Sequence, residues 1–432
     1  MIQRKKRKIV WLAIAVAAIG FLIWRMIRPM NIFVVSEAFE MPISTTKVPA
    51  LLRTLSAEEC AVCHKEFFEE WSTTMHSQAW TDPYFQTDWK FDRAQHICKN
   101  CHTPIDRQQE HRILGYRDKP KWNPILEPNP DFDASLQHEG VTCVACHLRE
   151  GKILGPYGDT QAPHPVRKLA DSNQVCVRCH VVGGDRWDTF FRFPPCGTVA
   201  EIQSTPLGTM NSEDIDTVAD YVDSADSEKL LPKKGGSGEV LVPDTARLGC
   251  VQCHMPLTER PLIEGGQMRP VRRHLWRGGH DPEMVKQGLD VQLKKTAGDA
   301  PGKQQLILTI TNVGAAHYLP TGTPDRFLTV EFRIVDKLDN VLKEQIHKLK
   351  RTVLWRPFIV DLWDTRLPRW QPRSYRFEFS TTDIIQSATI DVTVRYHLMD
   401  LKRHERIKHK SVAPISYPVF QERVPIGSKE ME

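Results

Sequence analysis

The chain has 432 residues, of which 41% are hydrophobic and 26% charged, a composition that suits folded protein and excludes a collagen-like, disordered or polytopic membrane chain. Of the 58 Lys and Arg, seven precede Pro29, where no Asp or Glu occurs, so the rest of the chain is slightly acidic and carries no nucleic-acid footprint. Eleven Cys divide into five pairs and one single, and every pair is Cys-x-x-Cys followed at once by His.

At the N-terminus, Ile9 to Trp24 carries no charge, and Met26 and Ile27 extend the apolar character past Arg25. The stretch approaches the ~20 residues of a spanning helix. Arg4 to Lys8 are all basic, while Arg25 and Arg28 follow, and the positive-inside rule then keeps the N-terminus in the cytoplasm. The expectation is a single-pass transmembrane helix in the cytoplasmic membrane (residues 1–30), a linker (31–54), and the remaining chain on the periplasmic, extracytoplasmic side. A cleaved signal peptide is the alternative.

The five motifs are Cys60-Ala-Val-Cys63-His64, Cys98-Lys-Asn-Cys101-His102, Cys143-Val-Ala-Cys146-His147, Cys176-Val-Arg-Cys179-His180 and Cys250-Val-Gln-Cys253-His254. Two thiols three residues apart on a helical turn reach the two vinyl groups of one haem, and the adjacent His meets the iron as proximal ligand. Paired zinc sites would leave one Cys-x-x-Cys over and give no reason for a His after each second Cys. A disulfide framework leaves the five His unexplained too. The reading is five covalently bound c-type haems. Cys196, without a partner, reads as a buried free thiol, a ligand role being the alternative.

Between Leu55 and His280 the motifs recur at steps of 38, 45, 33 and 74 residues, too irregular for a solenoid. With so little polypeptide per motif, porphyrin faces must supply much of the buried surface. The expected architecture is a mainly α, loop-rich multihaem domain over 55–285. Ser56 and Glu59 form a capping box opening a helix that runs toward Trp71. The Pro-rich stretch Lys119 to Asp131 separates the second and third motifs. An acidic helix around Ile215 to Val222, then the loop Lys233 to Gly238, fill the long last interval.

After Gly288 the period becomes two: Leu289/Val291/Leu293, Leu306/Leu308/Ile310, Leu328/Val330/Phe332/Ile334, Tyr375/Phe377/Phe379 and Ile390/Val392/Val394/Tyr396 alternate with mostly polar neighbours. Asp339-Asn340 marks a turn. These strands, with no Cys after Cys253, predict a haem-free, immunoglobulin-like C-terminal β-sandwich domain over 286–420 and a tail over 421–432.

Twelve His remain beyond the five proximal ones. His347, His397, His404 and His409 fall among the strands and read as surface or packing residues. The other eight, His76, His96, His111, His138, His164, His274, His280 and His317, are candidates for the sixth position of five irons.

Three runs carry a resemblance: Trp71-x-x-Thr74-x-His76-x-x-Ala79; His138-Glu-Gly-Val-Thr-Cys143-x-x-Cys146-His147; and Cys250-x-x-Cys253-His254-Met-Pro followed by His274. Over residues 55 to 280 the chain resembles the multihaem cytochromes c of the superfamily containing the tetrahaem carrier of ammonia oxidisers, hydroxylamine oxidoreductase and pentahaem nitrite reductase. The resemblance implies distal roles for His76, His138 and His274, with His164 next. Asn312-x-Gly314-x-x-His317-x-x-Pro320-Thr321-Gly322 is similar to a stretch in C-terminal domains of exported multihaem cytochromes, which makes His317 a candidate ligand against a structural turn. The chain departs from pentahaem nitrite reductase, whose catalytic motif ends in Lys, since all five motifs here end in His.

The functional expectation is a membrane-anchored pentahaem electron carrier, no catalytic residue assigned, exchanging electrons with donor and acceptor proteins in a respiratory or extracytoplasmic chain. Bis-histidine iron has no vacant position and a low potential relative to Met/His ligation. The alternative is an oxidoreductase acting on a small nitrogen or sulfur compound at one open haem.

Overall fold

The computed structural model describes residues 2–27, 41–117, 123–158, 161–169, 172, 174–180, 197–198, 201–202, 250–354, 360–380, 388–411 and 413–426. Cys196, the helix expected around Ile215 and the loop Lys233 to Gly238 lie outside these residues.

Eleven helices are described: α1 (Ile2–Ile27), α2 (Ala57–Ala61), α3 (Lys65–Ser72), α4 (Pro83–Phe91), α5 (Lys99–His102), α6 (Ala134–His138), α7 (Cys143–His147), α8 (Gln174–His180), α9 (Cys250–His254), α10 (Pro282–Gln287) and α11 (Leu401–Ile407). α1 does not meet the expectation of a transmembrane anchor. Among the described residues no helix is long and apolar enough to cross a membrane. The charge-free run of α1, Ile9 to Trp24, rises only about 24 Å at ~1.5 Å per residue, against a hydrocarbon core of ~30 Å. The single-pass placement in a cytoplasmic membrane, with everything beyond it periplasmic, therefore does not stand.

Nor are the described residues mainly α, with 28% of them in helix against 34% in strand. Short sheets break up the segment that carries the motifs: β1 (His111–Tyr116) pairs with β2 (Pro124–Pro128), β3 (Leu148–Arg149) and β4 (Lys152–Gly155) with β5 (Val166–Lys168), and β6 (Leu257–Pro261) with β7 (Met268–Arg272). The Pro-rich stretch contributes β2, an edge strand where missing amide hydrogens cost nothing. Helices there stay short because each motif occupies about one turn. The helix expected from Ser56 to Trp71 breaks between Ala61 and Lys65. Ser56 caps it as expected, accepting from the Glu58 amide, but Glu59 turns back to accept from the amides of Arg53, Thr54 and Leu55.

The C-terminal strands form two antiparallel sheets: β12 (Val360–Asp364), β11 (Val341–Leu354), β10 (Phe327–Val335), β14 (Thr389–His397) and β15 (Ser416–Pro425) in one, and β13 (Arg373–Ser380), β9 (Lys303–Asn312) and β8 (Leu289–Ala297) in the other. Alternation puts Leu306, Leu308, Ile310 and Phe377 of the small sheet against Leu328, Val330, Phe332, Ile390, Val392 and Val394 of the large one, all fully buried. Phe332 and Phe377 stack across the interface at 5.2 Å with planes 1° apart. The β10–β11 turn is closed by Asp336, which accepts from the Leu338 and Asn340 amides, with Asp339 left-handed at φ 59. β11 went unread because its lysines and glutamates hide a period of two, and most of its first half is exposed.

Two glycines position the loops that matter. Gly140 has φ +61, and a Cβ there would stand 2.8 Å from the His76 carbonyl and 2.9 Å from the Ala79 amide. Val141 N donates to that same His76 carbonyl at 2.9 Å, and Trp71 Nε1 to Val141 O at 2.8 Å. The Gly-Val of the His138 run and the Trp71 to Ala79 run are thus two sides of one clasp. Gly140→Ala should cost about 1–2 kcal/mol from the left-handed backbone alone, with more from the clash, read as a lowered thermal midpoint. A midpoint equal to the parent's would disprove the clasp. Gly314 lies against Gln287 in the same way, a Cβ there meeting its carbonyl at 2.7 Å.

Candidate haem-binding site

Motifs three, four and five each lie whole on one short helix, motif two runs from a 3-10 turn into α5, and motif one crosses from α2 to the start of α3, where the His64 amide donates to Cys60 O at 2.9 Å. All ten motif Cys and all five motif His line one cavity of about 2190 Å³, more than twice the upper end of the ~300–1,000 Å³ of ordinary ligand pockets. No disulfide joins any of the ten. Thiols of different motifs touch: Cys60 is hydrogen-bonded to Cys143, Cys179 to Cys101 and Cys176 to Cys250. Motif one therefore neighbours motif three, and motif four neighbours both two and five. Burial pushes the Cys146 and Cys253 thiols up to about 11.

The motif imidazoles share an orientation. Nδ1 of His64 donates to Leu262 O at 2.8 Å, that of His102 to Ala79 O at 2.7 Å, that of His147 to Leu154 O at 2.6 Å and that of His254 to Arg277 O at 2.6 Å. A carbonyl can only accept, so Nδ1 carries the proton and Nε2 is left as the lone-pair nitrogen. Burial holds His102, His147, His180 and His254 below the usual imidazole range, which keeps them in the neutral form a metal needs.

Five further His line the cavity: His76, His164, His274, His280 and His317. Three of them face a motif His. The ring centroids of His147 and His274 are 6.0 Å apart, those of His254 and His317 6.4 Å, and those of His76 and His180 6.4 Å. Two imidazoles holding one iron between them would stand about 6.2 Å apart, from two bonds of ~2.0 Å and ~1.1 Å from each nitrogen to its ring centre. His274 and His317 also donate Nδ1 to carbonyls, of Arg272 at 3.0 Å and Tyr318 at 2.9 Å. Burial takes His76 down to about 3, and His274 and His317 to about 4.

His164 has a buried Nδ1 without a hydrogen-bond partner and is influenced electrostatically by His64. His280 lies 3.5 Å from Arg326 Nη2. His102 is stacked by Phe85 at 3.6 Å, with planes 7° apart, and among the described residues no imidazole faces it as in the other three pairs. His138, His111 and His96 do not line the cavity; the first two are exposed, and His96 packs under motif two beside Lys99.

The sequence reading missed the groups that hold these rings. Glu70, buried at the end of α3, accepts from Arg260 Nη1 and Nη2 at 2.9 and 2.7 Å, from Arg273 Nε at 2.7 Å and from the His274 amide at 2.8 Å. Burial alone would raise its carboxyl, but these donors outweigh it and bring it down to about 2. Asn312 donates to His317 O at 2.8 Å and accepts from Ala315 N at 3.0 Å, shaping the loop that presents His317.

Against known proteins, the family described as cytochrome c554 and c-prime matches residues 59–121. A penta-heme cytochrome c552 from Thermochromatium tepidum superposes with a TM-score of 0.51 at 18% sequence identity, covering 86% of this chain and 98% of that one. This chain has the fold of a multihaem cytochrome c. No curated protein sequence matches it. The residues of this chain fit covalently attached haem: paired thiols one turn apart, four motif imidazoles with Nδ1 tied and Nε2 available, and a cavity far too large for one small ligand.

Proposed function

We propose that this cytochrome carries five covalently attached haems and passes single electrons among them. Cys60/Cys63, Cys98/Cys101, Cys143/Cys146, Cys176/Cys179 and Cys250/Cys253 would form the thioethers, and His64, His102, His147, His180 and His254 would be the proximal ligands. His274, His317 and His76 would take the sixth positions opposite His147, His254 and His180, with His164 for His64. The haems supply one-electron chemistry at iron. The protein's part is to hold each imidazole neutral and oriented, to exclude water by burial, and to keep motif neighbours in contact.

The observation that carries this reading is the facing of three imidazole pairs at 6.0 to 6.4 Å. Denatured protein should show a mass excess of five haems and a c-type pyridine haemochrome. Fewer than five after complete maturation would make one motif a decoy. A second reading, redox chemistry on a small nitrogen or sulfur compound at one open haem, is favoured only at His102, whose ring stacks on Phe85 and which no imidazole faces among the described residues. Carbon monoxide titrated into the reduced protein separates the two: at most one haem should bind it, and turnover of nitrite or hydroxylamine at that haem would establish the enzyme reading. The proposed redox partners are a donor and an acceptor protein.

A further inference from the structure

Trp276 stands between two of the facing pairs. Its ring meets His274 edge-on at 5.0 Å and 82°, and His76 edge-on at 5.0 Å and 84°. Its backbone has φ 40, in the left-handed region that bulky residues seldom enter. Such a conformation persists where surrounding structure over-determines it, and it marks a place where side-chain direction matters. His274 also meets Phe67 edge-on at 5.0 Å and 85°, so that ring has two edge-to-face aromatic neighbours. For His76, the indole of Trp276 and the ring of His180 are the described aromatic neighbours.

The two imidazoles differ in their relation to their partners. His76 lies at 76° to His180, nearly perpendicular, whereas His274 lies at 23° to His147 and His317 at 10° to His254. The mutual angle of two axial imidazole planes governs the splitting of the iron dxz and dyz orbitals. Near-parallel planes separate them and give a rhombic low-spin ferric signal. Perpendicular planes leave them almost degenerate and give a strongly anisotropic signal dominated by one large g value.

We propose that Trp276 is a positioning residue that sets the ring planes of two axial imidazoles on different haems, His76 and His274. The inference rests on the ligand pairing under Proposed function. Edge-to-face contact is directional, so an imidazole turning about its Cβ–Cγ bond would bring its face or an edge hydrogen against the indole and lose the contact. One side chain thereby fixes a perpendicular pair and helps fix a near-parallel one, and couples the electronic character of two neighbouring haems.

The test is electron paramagnetic resonance of the ferric, full-length holoprotein. The parent should show a large-g signal together with rhombic signals. In Trp276→Leu, the large-g signal should move toward rhombic positions and one rhombic signal should shift, with the haem count and low-spin fraction unchanged. Trp276→Phe, which keeps an aromatic edge, should stay close to the parent, and Phe67→Leu should move a rhombic signal alone. A Trp276→Leu spectrum identical to the parent's overturns the proposal, as does conversion of a haem to high spin, which would make Trp276 a support for ligation itself. His76→Ala tests the pairing separately: if every haem stays low-spin in that variant, the ligand assignment has failed, whatever Trp276 does.

Discussion

Replacing His274 with Ala is expected, on the proposed ligation, to leave the haem count unchanged and to convert one haem from low-spin to high-spin. Attachment depends on the thiols, while spin state depends on the sixth ligand, so the two readouts separate. In the fold, His274 is held at three points: its amide donates to Glu70, its Nδ1 donates to Arg272 O, and its ring meets Phe67 and Trp276 edge-on. His138, the other candidate near motif three in sequence, is exposed and away from the cavity. The newly open iron should bind carbon monoxide at about one per chain. His76→Ala and His317→Ala should each behave alike at a different haem, and the three changes should add, because the pairs share no ring. His138→Ala should leave the spectrum as it was. If His274→Ala keeps a fully low-spin spectrum, the pairing with His147 is wrong.

The second large effect is expected at Arg366, whose side chain is 3% exposed and joins strands to the cytochrome segment. Its Nη1 donates to Glu201 Oε1 at 2.6 Å and Pro320 O at 3.0 Å, and its Nη2 to Asp364 Oδ2 at 2.8 Å. Burial would lower the guanidinium, but Glu201 and Asp364 outweigh it and raise it further, so it stays charged. Glu201 is 1% exposed and also accepts from Thr321 Oγ1 at 2.6 Å and Tyr318 N at 3.3 Å, in the loop that presents His317. Arg366→Met breaks this buried pair, although Arg351 also acts on the carboxylate, and losing one partner of a buried pair costs about 3–5 kcal/mol. The variant should unfold at lower temperature and give a partly high-spin haem, as the His317 loop loosens. By contrast Lys47→Ala, at an ion pair whose side chains are 69% and 70% exposed, should change little. An Arg366→Met protein with the parent's midpoint and spectrum would show that the buried cluster ties nothing together.

Legibility followed distance along the chain. The strands from Leu289 to Tyr396 were readable because a half-buried sheet imposes a period of two on its own residues, and Leu306/Leu308/Ile310 or Val392/Val394 show it directly. β11 was not, since its exposed lysines and glutamates answer to solvent rather than to a core. The anchor reading failed on length, and the mainly α reading on short hairpins such as β6–β7, whose register of Leu257 with Arg272 through Pro261 with Met268 leaves no alternation to read. His138 looked like its neighbours in sequence, yet α6 ends with it facing solvent, and the working part of that run is Gly140 and Val141, which clasp the His76 loop.

What the sequence determined by itself is therefore the set of groups for attachment, ten Cys and five His in complete motifs, because a thiol pair and its following His act within a single helical turn and their spacing is their geometry. Only the tertiary structure decided which imidazole faces which. His147 meets His274 and His254 meets His317 across long stretches of chain, with Trp276, Phe67 and Glu70 in contact with His274 and the Arg366–Glu201 cluster beside the His317 loop. A facing distance and a ring angle are properties of packed elements, and residues that meet only by packing leave no mark in one another's spacing.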